Sequence, residues 1–337
     1  MPTAASTVAS APADGSSVEA GPLWGLTTYF NPSRYRTRLD NYRVFRERSR
    51  AQGLPLVTVE LVPEGGEPEL VEGADADVLL TPRSSAQLWH KERLLNLGLA
   101  ALPSSCRYVA WLDADIVFED DGWVAAACSA LERHVVIQPF TNVVCLPKDG
   151  TPAQFPSSRI GWGLGRRILR GTTEGTYRVA FCAEHRVGAT KLPGTTGYAW
   201  AARRELLDAH GFYDRCIIGG GDRELALAFV RASAQVPDSE VRIRHPRLRS
   251  HVSAWHDAVF ADVRANVGAL PGTVHHYWHG DSRNRRYADR HEILERFDFD
   301  PERDLEVDAE GCWRFAPTAA PLAEAVAGYL SSRREDG

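Results

Sequence analysis

Asp113 and Asp115 stand one residue apart at the end of the apolar run Tyr108-Val109-Ala110-Trp111-Leu112. In an extended segment, side chains two residues apart point the same way, so these two carboxylates are expected to converge on one point. Like charges that close, at the end of a buried strand, repel and lose hydration unless a cation joins them. A hard divalent ion such as Mg²⁺ or Mn²⁺ answers that need, takes oxygen ligands and keeps positions open for substrate phosphates. The plainer alternative is a loop where both aspartates cap turns and face water. Asp222 follows Gly219-Gly220-Gly221 at the start of a helical pattern. It can simply cap the exposed amides there. Three glycines also let the backbone approach a ligand closely, and a carboxylate presented from such a turn is a candidate general base for a hydroxyl proton. Glu224 is a second candidate.

His275, His276 and His279 share one aromatic-rich stretch. A lone buried histidine is usually a hydrogen-bonded core residue, whereas mixed imidazole and carboxylate sets suit Mn²⁺ and other transition ions. Lys91 lies in Trp89-His90-Lys91-Glu92-Arg93. It reads either as part of a solvated helix face or as a cation that neutralises a diphosphate near the strand ends. Gly161-Trp162-Gly163-Leu164-Gly165 lacks the Lys-Ser/Thr ending of a phosphate-binding P-loop and is rejected as one.

The elements that must position these groups follow from apolar spacing. Strands are expected at Leu23–Tyr29, Leu56–Val62, Val78–Leu80, Tyr108–Leu112 and Val135–Phe140, with helices over 35–52, 86–101 and 123–133. Further helices are expected over 203–210, 223–234 and 252–267, and a long loop over 147–178. Strands alternating with helices imply a mostly parallel α/β sheet with helices on both faces. Ligands of such sheets bind beyond the carboxyl ends of the strands, where Asp113 and Asp115 lie.

The chain has 337 residues, 44% hydrophobic, enough for one large α/β domain or two smaller ones. A net charge of −5 gives no global basic field, so no nucleic-acid partner is expected. The six cysteines are scattered without a Cys-x-x-Cys pair and read as buried thiols in a reducing compartment. No run approaches a membrane span, and residues 2–20 lack the basic and apolar regions of a signal peptide. A cytoplasmic protein is expected.

In chain order these features resemble the nucleotide-sugar-dependent glycosyltransferases of the GT-A fold, near the broad family-2-like group. The resemblance rests on an opening strand ending Thr27-Thr28-Tyr29-Phe30-Asn31-Pro32 and on Asp113-Ala114-Asp115, which looks like the family's DxD motif. It continues with Gly219-Gly220-Gly221-Asp222 after Gly197-Tyr198-Ala199-Trp200, and ends at His276-Tyr277-Trp278-His279-Gly280. It implies a Rossmann-like single domain over 22–300, with a nucleotide-binding half (22–140) and an acceptor-binding half (141–300). A disordered tail (1–21) and a C-terminal extension (301–337) flank it.

The resemblance also implies roles. Asp115 would bind Mn²⁺ or Mg²⁺ directly, with His279 or His276 completing the site, and Asp113 would hold the ribose or reach the metal through water. Thr27, Thr28 and Tyr29, with Glu60 or Val62, would line the base of a UDP- or GDP-sugar donor. Asp222 would deprotonate the hydroxyl of an acceptor that the sequence does not identify, giving transfer with inversion. Many relatives place Glu-Asp where this chain has Gly221-Asp222.

Two rivals stand beside this reading. A HAD-type phosphohydrolase would use Asp113 as nucleophile and Asp115 as acid/base, but its nucleophile normally follows the first strand, and about three precede Asp113 here. A non-catalytic nucleotide-sugar or glycan-binding module would keep the fold without the chemistry.

Overall fold

Strand β1 (Leu23–Phe30) alternates its side chains between two hydrophobic layers, as a strand buried on both faces must. Trp24 and Leu26 enter one layer, Leu23 and Tyr29 the other. The computed structural model describes residues 21–148, 195–230, 243–280, 286 and 290–333, and the backbone of 159–162. The expected 1–21 tail, apart from its last residue, lies outside the described residues, as do Cys182 and most of the 147–178 loop.

From β1 the chain runs through α1 (Arg36–Ala51), β2 (Leu56–Leu61), β3 (Val78–Leu80) and α2 (Lys91–Ala100). It continues with β4 (Tyr108–Leu112), β5 (Ile116–Phe118), α3 (Trp123–Leu131), β6 (Val136–Gln138), β7 (Asn142–Cys145) and β8 (Arg159–Trp162). Then come β9 (Ala199–Arg203), α4 (Arg204–His210), α5 (Gly221–Val230), α6 (Pro246–Val263), β10 (Val267–Ala269) and β11 (Thr273–His276). Last are α7 (Glu292–Arg296), α8 (Pro301–Asp304), β12 (Leu305–Val307), β13 (Trp313–Phe315) and α9 (Ala320–Ser331).

The central sheet has seven strands in the order β10-β6-β9-β4-β1-β2-β3. All run parallel except β9, which pairs antiparallel with both β4 and β6. Helices α2, α4, α5 and α6 pack on the face of Trp24, Trp111 and Trp200. Helices α1 and α3 cover the face of Tyr29, Ala110 and Ala201. The mostly parallel α/β sheet with helices on both faces is therefore what the chain forms. Gly98 lets α2 lie close on it, since a Cβ there would collide with Leu26 and Val59.

A second sheet, β5-β11-β7-β8, lies beside the first and was not foreseen. Its β8 falls inside the expected 147–178 loop. The helix expected over 86–101 begins only at Lys91, because Trp89 N–H and His90 Nε2 turn instead to the carbonyls of Ile217 and Ala86. Beyond 290 the chain packs as part of the same fold: Ile293, Leu294, Trp313, Leu322 and Val326 share a core with Leu88, Ile217 and Leu248.

Candidate functional site

Asp115 owes its surroundings to β-sheet register. Antiparallel pairing of β5 with β11 sets His276 opposite Ile116, one residue from Asp115. Tyr277 N–H closes the corner by donating to Asp115 O at 2.9 Å, and Asn41 Nδ2 on α1 holds the next turn through Trp278 O at 2.9 Å. His279 Nε2 then lies 3.1 Å from Asp115 Oδ2 and 3.1 Å from His276 Nε2. One ligand atom from each of Asp115, His276 and His279 falls within 4.8 Å of the others.

These donors fit a divalent transition ion. Adjacent ligands held about 2.1 Å from a metal at right angles stand about 3.0 Å apart, close to the imidazole separation. The local charge agrees. Burial alone would lower the pKa of His276, yet the Asp115 carboxylate outweighs it and pushes the imidazolium up to about 10. A cation is wanted here, and a bound metal would replace the proton.

Asp113 takes a different course. Residues 114–115 form a turn, so the extended-chain rule does not apply, and the two aspartates take different partners. Asp113 Oδ2 accepts Tyr198 N–H at 3.0 Å, and Asp113 Oδ1 accepts from Lys91 Nζ at 2.6 Å. Lys91, the first residue of α2, also donates to Asp222 Oδ1 at 2.9 Å. The ammonium expected to meet a diphosphate is thus engaged by two carboxylates. Burial favours its neutral form, but Asp113 and Asp222 hold its pKa well above the lysine range. Burial, with Asp222 and Asp115 nearby, raises the pKa of Asp113 despite Lys91.

Asp222 opens α5 after a turn that only glycine enters readily, with φ of +83° at Gly219 and +107° at Gly220. Gly221 is required for another reason: a Cβ would run into the Glu92 carboxylate beneath it. Burial and the Asp222 charge push Glu92 up to about 8. Glu224, the alternative base, is buried and 3.3 Å from His256.

Both groups open on one cavity of about 660 Å³. Thr28, Tyr29, Lys91 and the three aspartates line it, together with His276 and His279. Thr27 and Glu60 do not line it. Thr27 is fully buried and donates to Leu112 O at 2.7 Å, tying the ends of β1 and β4. The Glu60 carboxylate accepts Glu69 N–H at 2.6 Å and Leu70 N–H at 3.0 Å, ordering the loop to which Tyr29 Oη also donates. Val62 is likewise fully buried. The sequence reading missed Trp89, Arg223, Arg290 and Arg333 on the wall.

Comparison with protein-family profiles finds no match, and comparison with curated proteins finds none either. Among solved structures, the chain is similar to the catalytic domain of Drosophila β1,4-galactosyltransferase 7 in complex with xylobiose. Identity is 10%, coverage 90% of this chain and 98% of that one, and the TM-score 0.39. A mutant of that enzyme with manganese, UDP-Gal and xylobiose gives 9% identity, the same coverage and a TM-score of 0.38. A Desulfovibrio desulfuricans protein described as a nucleotide-diphospho-sugar transferase gives 12% identity over 82% of this chain and 91% of that one, with a TM-score of 0.33. At such scores no residue's role passes from those proteins to this chain.

Proposed function

We propose that this chain is a metal-dependent glycosyltransferase of the GT-A type, moving a sugar from a nucleoside-diphosphate sugar to an acceptor hydroxyl with inversion. The observation that carries the reading is the pairing, in one cavity, of the Asp115, His276 and His279 ligand set with a carboxylate, Asp222, presented from a glycine turn. Held by that ligand set, Mn²⁺ or Mg²⁺ would supply Lewis-acid neutralisation of the departing diphosphate. Thr28 and Tyr29, at the end of β1, line the part of the cavity assigned to the nucleotide. Asp222 takes the acceptor's proton as the new glycosidic bond forms. Lys91 orients Asp222 before that transfer. It holds Asp113 in the same way, so both carboxylates stay fixed relative to each other.

The phosphohydrolase alternative needs Asp113 and Asp115 at a single phosphorus atom. Their engagement with different partners, Lys91 for one and two imidazoles for the other, argues against it. The test is thermal stabilisation by UDP- and GDP-sugars with and without Mn²⁺. A donor at 100 times its Kd stabilises by about 2.7 kcal/mol. That stabilisation is expected to depend on metal in the wild type and to vanish in Asp115→Asn. An unchanged metal-dependent shift in the variant would remove the basis of the assignment.

A further inference from the structure

The cavity has a second charged wall, built by a part of the chain that the reading above leaves without a role. Arg290 and Arg333 stand near the two ends of the C-terminal segment, only 6% and 7% exposed, and both line the cavity that Asp222 lines. Packing fixes them. Arg290 Nη1 donates to Tyr329 Oη of α9 at 3.4 Å, and the Arg333 guanidinium lies 4.7 Å from the centre of the Trp89 ring. The Arg290 guanidinium lies over the turn that presents Asp222. A Cβ at Gly219 would stand 3.2 Å from Arg290 Nη1, and one at Gly220 would stand 3.4 Å from both Arg290 Nη2 and His291 Nε2. The bare glycines make room for the basic groups as much as for the backbone.

The groups that face this wall carry both signs. From α2, Lys91 is shared between Asp113 and Asp222, and Glu92 is held towards its neutral form. From α5, Asp222 faces Lys91, Glu224 faces His256, and Arg223 adds a further cation to the lining. A guanidinium held rigid against a tryptophan face is a preorganised donor for carboxylate, phosphate or sulfate oxygens.

We propose that the acceptor is an anion, whose charged group docks on Arg290 and Arg333 beside Trp89 and so sets its hydroxyl at Asp222. The proposal rests on the glycosyltransferase reading for the role of Asp222, and the anion site itself can be tested separately. Calorimetry on the full chain would use glucose 6-phosphate, glucuronate and glucose as probes. One series would omit metal and nucleotide, and a second would include Mn²⁺ and UDP. At least one of the two anions is expected to bind about tenfold or more tighter than glucose, the scale of one charge-assisted hydrogen bond. Which anion gains more separates a phosphate from a carboxylate site. Arg333→Gln should erase the difference and leave UDP affinity as it was, while Arg333→Lys, which keeps the charge, should retain most of it.

Equal binding of all three probes to the wild type would overturn the proposal. So would a loss of UDP affinity in Arg333→Gln, which would assign the arginines to the donor diphosphate. If the wild type discriminates the anions yet binds no UDP, the donor reading falls and the anion site stands.

Discussion

The two ends of the cavity solve the same electrostatic problem in different ways. At one end, Asp115 faces two imidazoles whose Nε2 atoms lie 3.1 Å apart. At the other, Asp113 and Asp222 share the ammonium of Lys91 at 2.6 and 2.9 Å. The Lys91 end carries its counter-charge in the fold. The Asp115 end draws in positive charge from outside, as a proton on His276 or as a metal. Under the proposed function, the first end would exchange its cation and the second would keep it, as a donor arriving with metal against a fixed base requires.

The strongest way to break this contrast is Asp222→Asn. Transfer is expected to fall about 10²- to 10⁴-fold with metal-dependent donor binding intact, the usual worth of a positioned general base. Steady-state rates alongside donor titrations check it, and full transfer by the variant would dismiss Asp222 as base. Lys91→Met attacks the internal counter-charge. It leaves two carboxylates facing each other, and partial exposure limits the expected loss to about 1–3 kcal/mol at neutral pH. Burial and its acidic neighbours already raise the pKa of Asp113, and without the ammonium it holds a proton still more tightly folded than unfolded, so the penalty should shrink as pH falls. Denaturant melts at pH 4.5 and 7.5 measure this, and a penalty independent of pH would show that the pair does not depend on Lys91.

The mildest expected effect is at Glu92→Gln. Burial and Asp222 push Glu92 up to about 8 from its ordinary value of 4.5. Between those values the folded carboxyl keeps a proton that the unfolded chain gives up, so the wild type loses stability as pH rises through that window. Glutamine mimics the protonated form. It should match the wild type near pH 4.5 and exceed it near pH 8 by on the order of 1 kcal/mol. Parallel melting curves at both pH values would mean that Glu92 is ionised in the fold.

Legibility in the sequence followed the range of the interaction. Strands β1 and β4 were plain because a strand buried on both faces is an unbroken apolar run. Asp115 and the histidines could be named as chemically suited. What joins them is the β5–β11 register, between segments more than 150 residues apart, and no local pattern encodes that. Strand β5, three residues long, gave no periodic signal at all. Lys91 was singled out but assigned to a diphosphate, since one of its partners, Asp222, lies 131 positions away. Thr27 and Glu60 had the right chemistry at strand ends and proved to be buried anchors for Leu112 and for the loop at 69–70. Arg290 and Arg333 were lost among the many arginines of the C-terminal region. Their value comes from α9 packing into the core and carrying them back to the cavity.

Tyr198 ties the two ends together. Its backbone N–H meets Asp113, its ring centre lies 4.9 Å from that of His276, and its φ of +77° is one that a bulky residue rarely adopts. Such a conformation costs of order 1–3 kcal/mol and persists only where the neighbours on both sides hold it. Tyr198 also leads into β9, the single reversed strand of the central sheet. The residue therefore works as a loaded hinge pin between Asp113 and His276: substitutions that relax it would slacken both ends at once.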